Sequence, residues 1–138
     1  MNRYLLDTNV ISEVRKARPL GAVLAWVEGL KETQIYLSSV TIGELQAGVE
    51  RTRRQDPGKA AEIQSWIDLL ENTHHILPMS SACFREWARL MSGRPDSLLE
   101  DGMIATTARV HGLIVATRNE RDFTSLGVQI FNPFKAAP

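Results

Sequence analysis

Five short apolar runs punctuate the chain: YLL at 4–6, IYLSSV at 35–40, HILPMS at 75–80, LIVAT at 113–117 and VQIF at 128–131. Continuous apolar runs of this length, set off by polar or turn-forming residues, fit buried strands. Between them apolar residues recur at helical spacing, as in Val23, Trp26, Val27 and Leu30, or Ile63, Trp66, Ile67 and Leu70. Strands alternating with helices predict an α/β domain of three layers, with helices on both faces of a mostly parallel sheet of about five strands. Parallel neighbours need crossovers of about a dozen residues, and the helical segments are long enough to supply them. DPG at 56–58 divides the stretch from Thr41 to Thr73 into two helices, and GRPDS at 93–97 separates another pair. Gly112 should stop a helix that begins near Asp96. No break is long enough for a linker and no repeat is visible, so residues 1–138 read as one domain.

Composition narrows the class. With 138 residues and 43% hydrophobic content, the chain can build a core without a disulfide or a structural metal. Cys83 is the single cysteine, which excludes an intrachain bridge and suits a reducing compartment. Arg3 and Asp7 interrupt the first ten residues, and no apolar stretch approaches the ~18 residues of a membrane span. The expectation is a soluble, cytoplasmic protein with no membrane partner. Sixteen basic and sixteen acidic residues cancel, which argues against a protein that coats nucleic acid by bulk charge. Two local basic segments remain, VRKAR at 14–18 and RTRRQDPGK at 51–59. Each reads either as a solvated helix end or as a set of phosphate contacts.

The chemistry-bearing signal is the placement of four acids. Asp7 directly follows the first apolar run, where an open parallel sheet binds its ligands; it could equally cap the helix starting near Val10. Glu44 follows the second run in SVTIGELQAGVE, three residues after Thr41, which is the spacing of a capping box. The face carrying Glu44 also carries Thr41, Ala47 and Gly48, all small, while Ile42, Leu45 and Val49 form a separate core stripe. Asp101 lies within the apolar stripe of Leu98, Ile104, Ala105 and Ala108, a costly place for a carboxylate unless it is paired or metal-bound. Glu100, turned about 100° away, should face solvent. Asp122 lies beyond the fourth run in LIVATRNERDF, where Asn119 could cap a short helix. If the four acids converge, bringing two like charges to ~5 Å costs about 3 kcal/mol at an effective dielectric near 20, and something positive must offset it. Oxygen ligands without a His or Cys cluster favour magnesium or manganese over zinc. His74, His75 and His111 read as structural or surface residues. Serine hydrolase and P-loop chemistry drop out, because neither G-x-S-x-G nor G-x-x-x-x-G-K-[ST] is present.

LLDTNVIS, TIGELQAGV, EDGMIATTA, TRNERDF and the closing NPF, taken in order, resemble the PIN-domain ribonucleases, and in particular the VapC and FitB toxins of type II toxin–antitoxin pairs. The resemblance implies a PIN-like fold and a toxin that cleaves RNA with Mg²⁺ or Mn²⁺. It implies that Asp7, Glu44, Asp101 and Asp122 form the acidic quartet, with Asp7 and Asp101 as the principal metal ligands. Thr8, Asn9, Thr117 and Asn119 would then support or border the site. It further implies a small DNA-binding antitoxin and a homodimer; Trp66, Trp87 and Met91, on amphipathic helices, read as core residues rather than as its interface. Arg51, Arg53, Arg54 and Lys59 are the candidates for RNA backbone contact. Two positions depart from the family pattern: Thr107 stands where related toxins often have alanine, and Asn119 where some carry an acid.

Two other readings compete. A metal-dependent phosphatase would use Asp7 as a covalent nucleophile, but Asn9 stands where the Asp-x-Asp pattern of such enzymes wants a second acid. A non-catalytic binding module would keep the fold without the reaction, although all four acids are present.

Overall fold

The computed structural model describes residues 1–135. In chain order the elements are β1 (Tyr4–Leu6), α1 (Thr8–Arg15), α2 (Gly21–Glu28), β2 (Ile35–Ser38), α3 (Ser39–Arg53) and α4 (Pro57–Thr73). They continue with β3 (His75–Leu77), α5 (Ser81–Met91), α6 (Leu99–His111), β4 (Ile114–Ala116), α7 (Glu120–Ser125) and β5 (Ile130–Phe131). The strands form one sheet in the order β3-β2-β1-β4-β5, with every pairing parallel. The chain therefore steps outward from β1 in one direction through β2 and β3, and β4 and β5 lie on its other side. This reversal leaves a crevice beyond the carboxyl ends of β1 and β4, the place where such sheets hold ligands.

Successive strand residues point to opposite faces, and each face has its own core. Leu5 and Val115 pack with Ile104, Ala105, Ala108, Phe123 and Leu126 under α6 and α7. Leu6, Leu37 and Ala116 pack with Val10, Ile11, Val23 and Leu70 under α1, α2 and α4. A third cluster, Val49, Ala60 and Ile67, joins α3 to α4. Fully burying one such aliphatic side chain contributes roughly 1.5–3 kcal/mol.

Several boundaries follow from single residues. Asp56 caps α4, its Oδ1 accepting from the Lys59 N–H at 3.0 Å, and Pro57 occupies the first helical position. Gly112 ends α6 at φ 66°, a left-handed conformation that favours glycine. Gly102 lets α5 come close to α6: a Cβ there would stand 2.5 Å from the Met91 sulfur. Two sequence expectations shift. IYLSSV does not stay extended, because Ser38 is already the cap of α3, its Oγ accepting from the Val40 N–H at 3.0 Å. The helix expected from Asp96 begins as a 3-10 turn, Asp96–Leu98, and becomes α-helical at Leu99. No helix among the described residues is long and apolar enough to cross a membrane.

Candidate active site

β1 and β4 are in register up to Leu6 and Ala116, so the next residue of each, Asp7 and Thr117, emerge side by side at the crevice. Asp7 is 5% exposed and serves two purposes at once. Its Oδ1 accepts from the Thr8 N–H at 2.8 Å and caps α1. Its Oδ2 accepts from the Thr117 hydroxyl at 2.8 Å and from Asn9 Nδ2 at 3.2 Å. The cap and site readings of Asp7 are thus compatible. Burial pushes its pKa above the ordinary carboxylate value, and these hydrogen bonds pull against the rise.

Asn119 ties the other acids in. Its Nδ2 donates to Asp101 Oδ2 and to Asp122 Oδ2, each at 3.0 Å, so the two carboxylates are held at most twice that distance apart. The side chain therefore does not cap α7, as the local pattern suggested. Its backbone N–H donates to Thr117 Oγ1 at 2.9 Å, leaving the hydroxyl proton of Thr117 directed at Asp7. Asn9 Oδ1 accepts from the Arg118 N–H at 3.2 Å and joins the same loop to α1. All four supporting residues named from the sequence touch an acid or link two of them.

Glu44 arrives from the other flank. The capping box expected of Thr41 and Glu44 is absent because α3 starts at Ser39; Thr41 is buried inside the helix and Glu44 points at α1 instead. The Thr8 hydroxyl donates to Glu44 Oε1 at 2.9 Å and lies 3.1 Å from Thr41 Oγ1. Glu100 is exposed, as its place on the helix implies. It nevertheless stands near enough to Glu44, on α3, to push the pKa of that carboxyl up. No local pattern could show this, since the partner sits on another helix.

Charge is concentrated here without relief. Burial, chiefly, pushes Glu44 up to about 7, with Glu100 and Asp7 adding to the rise and the Thr8 hydroxyl opposing it. Burial and the fields of Asp7, Asp122 and Glu100 push Asp101 up to about 6. Among the described residues no Lys or Arg is ion-paired with Asp7, Glu44, Asp101 or Asp122; the ion pairs engage other acids. No three acidic, imidazole or thiol side chains among the described residues close around one ion-sized point as they stand. The Thr8 hydroxyl and the Asn119 amide are interposed among the carboxylates. The donor set is nevertheless all oxygen, and magnesium binds through one or two carboxylates while keeping several waters, so the residues fit that ion. The histidines lie elsewhere: His75 opens β3 against the Tyr36 ring, and His111 ends α6.

The basic candidates divide. Arg53 is held by Glu50, with Nε 3.1 Å from Oε1, and Lys59 lies 3.7 Å from Glu62. Arg54 is exposed at the end of α3. Arg51 lines a cleft that begins at Thr8 and Glu44.

A parallel α/β/α sandwich with a carboxylate pocket at its β1–β4 switch point defines an acid-pocket α/β domain. The chain belongs to the PIN domain family, which matches residues 4–128. It is 38% identical over 141 residues to "VapC ribonuclease Y4jK" of Sinorhizobium fredii, covering 96% of this chain and 99% of that protein. It is 36% identical over 140 residues to "Toxin FitB" of Neisseria gonorrhoeae, covering 94% and 97%. Its fold is similar to a chain in the "Structure of FitAB bound to IR36 DNA fragment", with a TM-score of 0.81, 30% identity and 98% of both chains covered.

Proposed function

We propose that this chain is the toxin of a toxin–antitoxin pair and an Mg²⁺- or Mn²⁺-dependent endoribonuclease that hydrolyses RNA phosphodiester bonds. One observation carries the reading. Asp7, Asp101 and Asp122, from three separate segments, are fastened together by Thr117 and Asn119, and among the described residues no Lys or Arg is ion-paired with them. Relatives named as ribonuclease and toxin over nearly the whole chain support the same reading.

Asp7 and Asp101 would hold the ion, with Glu44 and Asp122 completing its surroundings directly or through water. When bound, such an ion sets positive charge against the phosphate oxygens and lowers the pKa of a coordinated water. Thr117 and Asn119 keep the carboxylate oxygens of Asp7, Asp101 and Asp122 aimed into the crevice. Thr8 orients Glu44 toward the crevice. Because water is the nucleophile, the RNA 2′-hydroxyl is not needed, and the products are a 5′-phosphate and a 3′-hydroxyl.

In this reading a small DNA-binding antitoxin covers the pocket and sets an Arg against its carboxylates in bidentate fashion. The FitAB–DNA complex supports such a partner. In the same reading the protein works as a cytoplasmic homodimer. Incubating purified protein with structured RNAs and Mg²⁺ or Mn²⁺ tests the activity. Wild type should cut, whereas Asp7→Asn, Asp101→Asn and EDTA-treated protein should not; equal cleavage by all of them rejects the proposal.

A further inference from the structure

Resting on the ribonuclease reading, we propose that the cleft between α1, α3 and α4 receives the RNA strand beside the scissile bond. Arg15 and Arg51 take its phosphates, and the Arg15–Trp66 pair takes a base. The cleft, about 290 Å³, opens at Thr8 and Glu44 inside the acidic pocket and runs past Gly48 to these three side chains.

The placement follows from helix geometry. Arg15 is seven residues beyond Thr8 on α1, and Arg51 is seven beyond Glu44 on α3. Seven residues return a helix to nearly the same face two turns on, about 10 Å away. Two helices joined at the acids by the Thr8–Glu44 hydrogen bond therefore bring two guanidinium groups into one cleft at its far end. That distance suits a neighbouring nucleotide and not the phosphate being cut.

The chemistry of the far end fits a nucleotide. Among the described residues neither Arg15 nor Arg51 is in an ion pair, in contrast to Arg53, Lys59 and Arg118, which lie near Glu50, Glu62 and Glu13. The Arg51 Nη2 lies over the α3 backbone at Gly48, 3.7 Å from where a Cβ would stand, which places the guanidinium along the cleft wall. The Arg15 guanidinium carbon is 5.6 Å from the centre of the half-buried Trp66 ring, a cation–π arrangement. Guanidinium planes and indole faces are both surfaces on which single-stranded bases stack. A phosphodiester seated at four acids is repelled along every acidic path, and this positively lined one starts at the pocket itself. An acidic polypeptide would meet the same two arginines, but it gains nothing from the stacked Arg–Trp surface beside a site for phosphodiesters.

The test uses the full chain and a single-stranded RNA that wild type cuts, with initial rates measured between 50 and 200 mM salt, a range over which phosphate contacts register strongly. Arg15→Gln and Arg51→Gln should each raise KM roughly five-fold with little change in kcat. Each should also flatten the slope of log(kcat/KM) against log salt by about 0.7, the value for one single-strand phosphate contact. Arg85→Gln, on exposed α5, should leave both unchanged. Wild-type KM and salt slope in both cleft variants would overturn the inference and leave the ribonuclease reading intact. Unchanged KM together with lost inhibition by the antitoxin would overturn it in favour of a protein occupant. Absence of RNA cleavage by wild type would remove the ribonuclease reading and this inference with it.

Discussion

Asn119 shows how much one side chain organises. Its amide spans Asp101 and Asp122 while its N–H fixes the hydroxyl of Thr117, so removing it frees two carboxylates that repel one another. Asn119→Ala should lower cleavage about 10–100-fold, the usual cost of losing a group that orients metal ligands. Thr117→Val should fall in the same range and Thr117→Ser should recover most of it, both measured as kcat/KM. The raised acids also set a pH dependence. Asp101 is pushed from 3.8 to about 6 and Glu44 from 4.5 to about 7, so the folded state keeps protons that the unfolded chain has released. Their contribution to stability is full below the unfolded values and is lost as pH rises through the folded ones. The Tm of metal-free protein should therefore fall between about pH 4.5 and pH 7, and Asp101→Asn should flatten that fall. A Tm that rises across the window contradicts the assignment. The positions of Asp7, Asp101 and Asp122 were legible in the sequence, because each acid sits where burial or a strand end makes it conspicuous. The role of Asn119 was not: it has a satisfactory local reading as a helix cap, and only tertiary contact replaces it.

At the scale of elements, strands were legible because the apolar runs are short and separated. The α3 boundary was not, since Val40 is apolar and β-branched and fits a strand as well as a first helical turn. What ends β2 is its pairing, which stops at Ser38 opposite Leu77, and the hydroxyl of Ser38, which caps the helix at once. This direct strand-to-helix turn aims Glu44 at Thr8 instead of back at its own N-terminus. α7 depends on packing in a comparable way. Phe123 is fully buried between Asp122 and the core of α6, so it anchors the helix that carries one acid. Phe123→Ala should cost about 3–5 kcal/mol in urea unfolding. At temperatures where the variant stays folded it should also weaken Mn²⁺ binding, although no ligand has been touched. An unchanged unfolding midpoint would show that α7 is held some other way.

Across the whole molecule, the sheet order places β1 and β4 together at the centre, and the acids then gather from the loops and helices that follow. The α/β class and the parallel sheet could be read from alternating elements alone. The convergence of residues as distant as Asp7 and Asp101 could be inferred only from joint coincidence and family resemblance. The proposed reaction requires this acidic crevice to hold a hard divalent ion. The most direct measurement is the Tm of wild type and Asp101→Asn at pH 7.5 with EDTA or with millimolar Mn²⁺. Binding to the folded state alone stabilises it by mass action, by about 2.7 kcal/mol when the ion stands at 100 times its Kd. Wild type should gain several degrees with Mn²⁺, whereas Asp101→Asn should gain little and melt higher than wild type in EDTA. A wild-type Tm unmoved by millimolar Mn²⁺ and Mg²⁺ would contradict a divalent-ion site in this crevice.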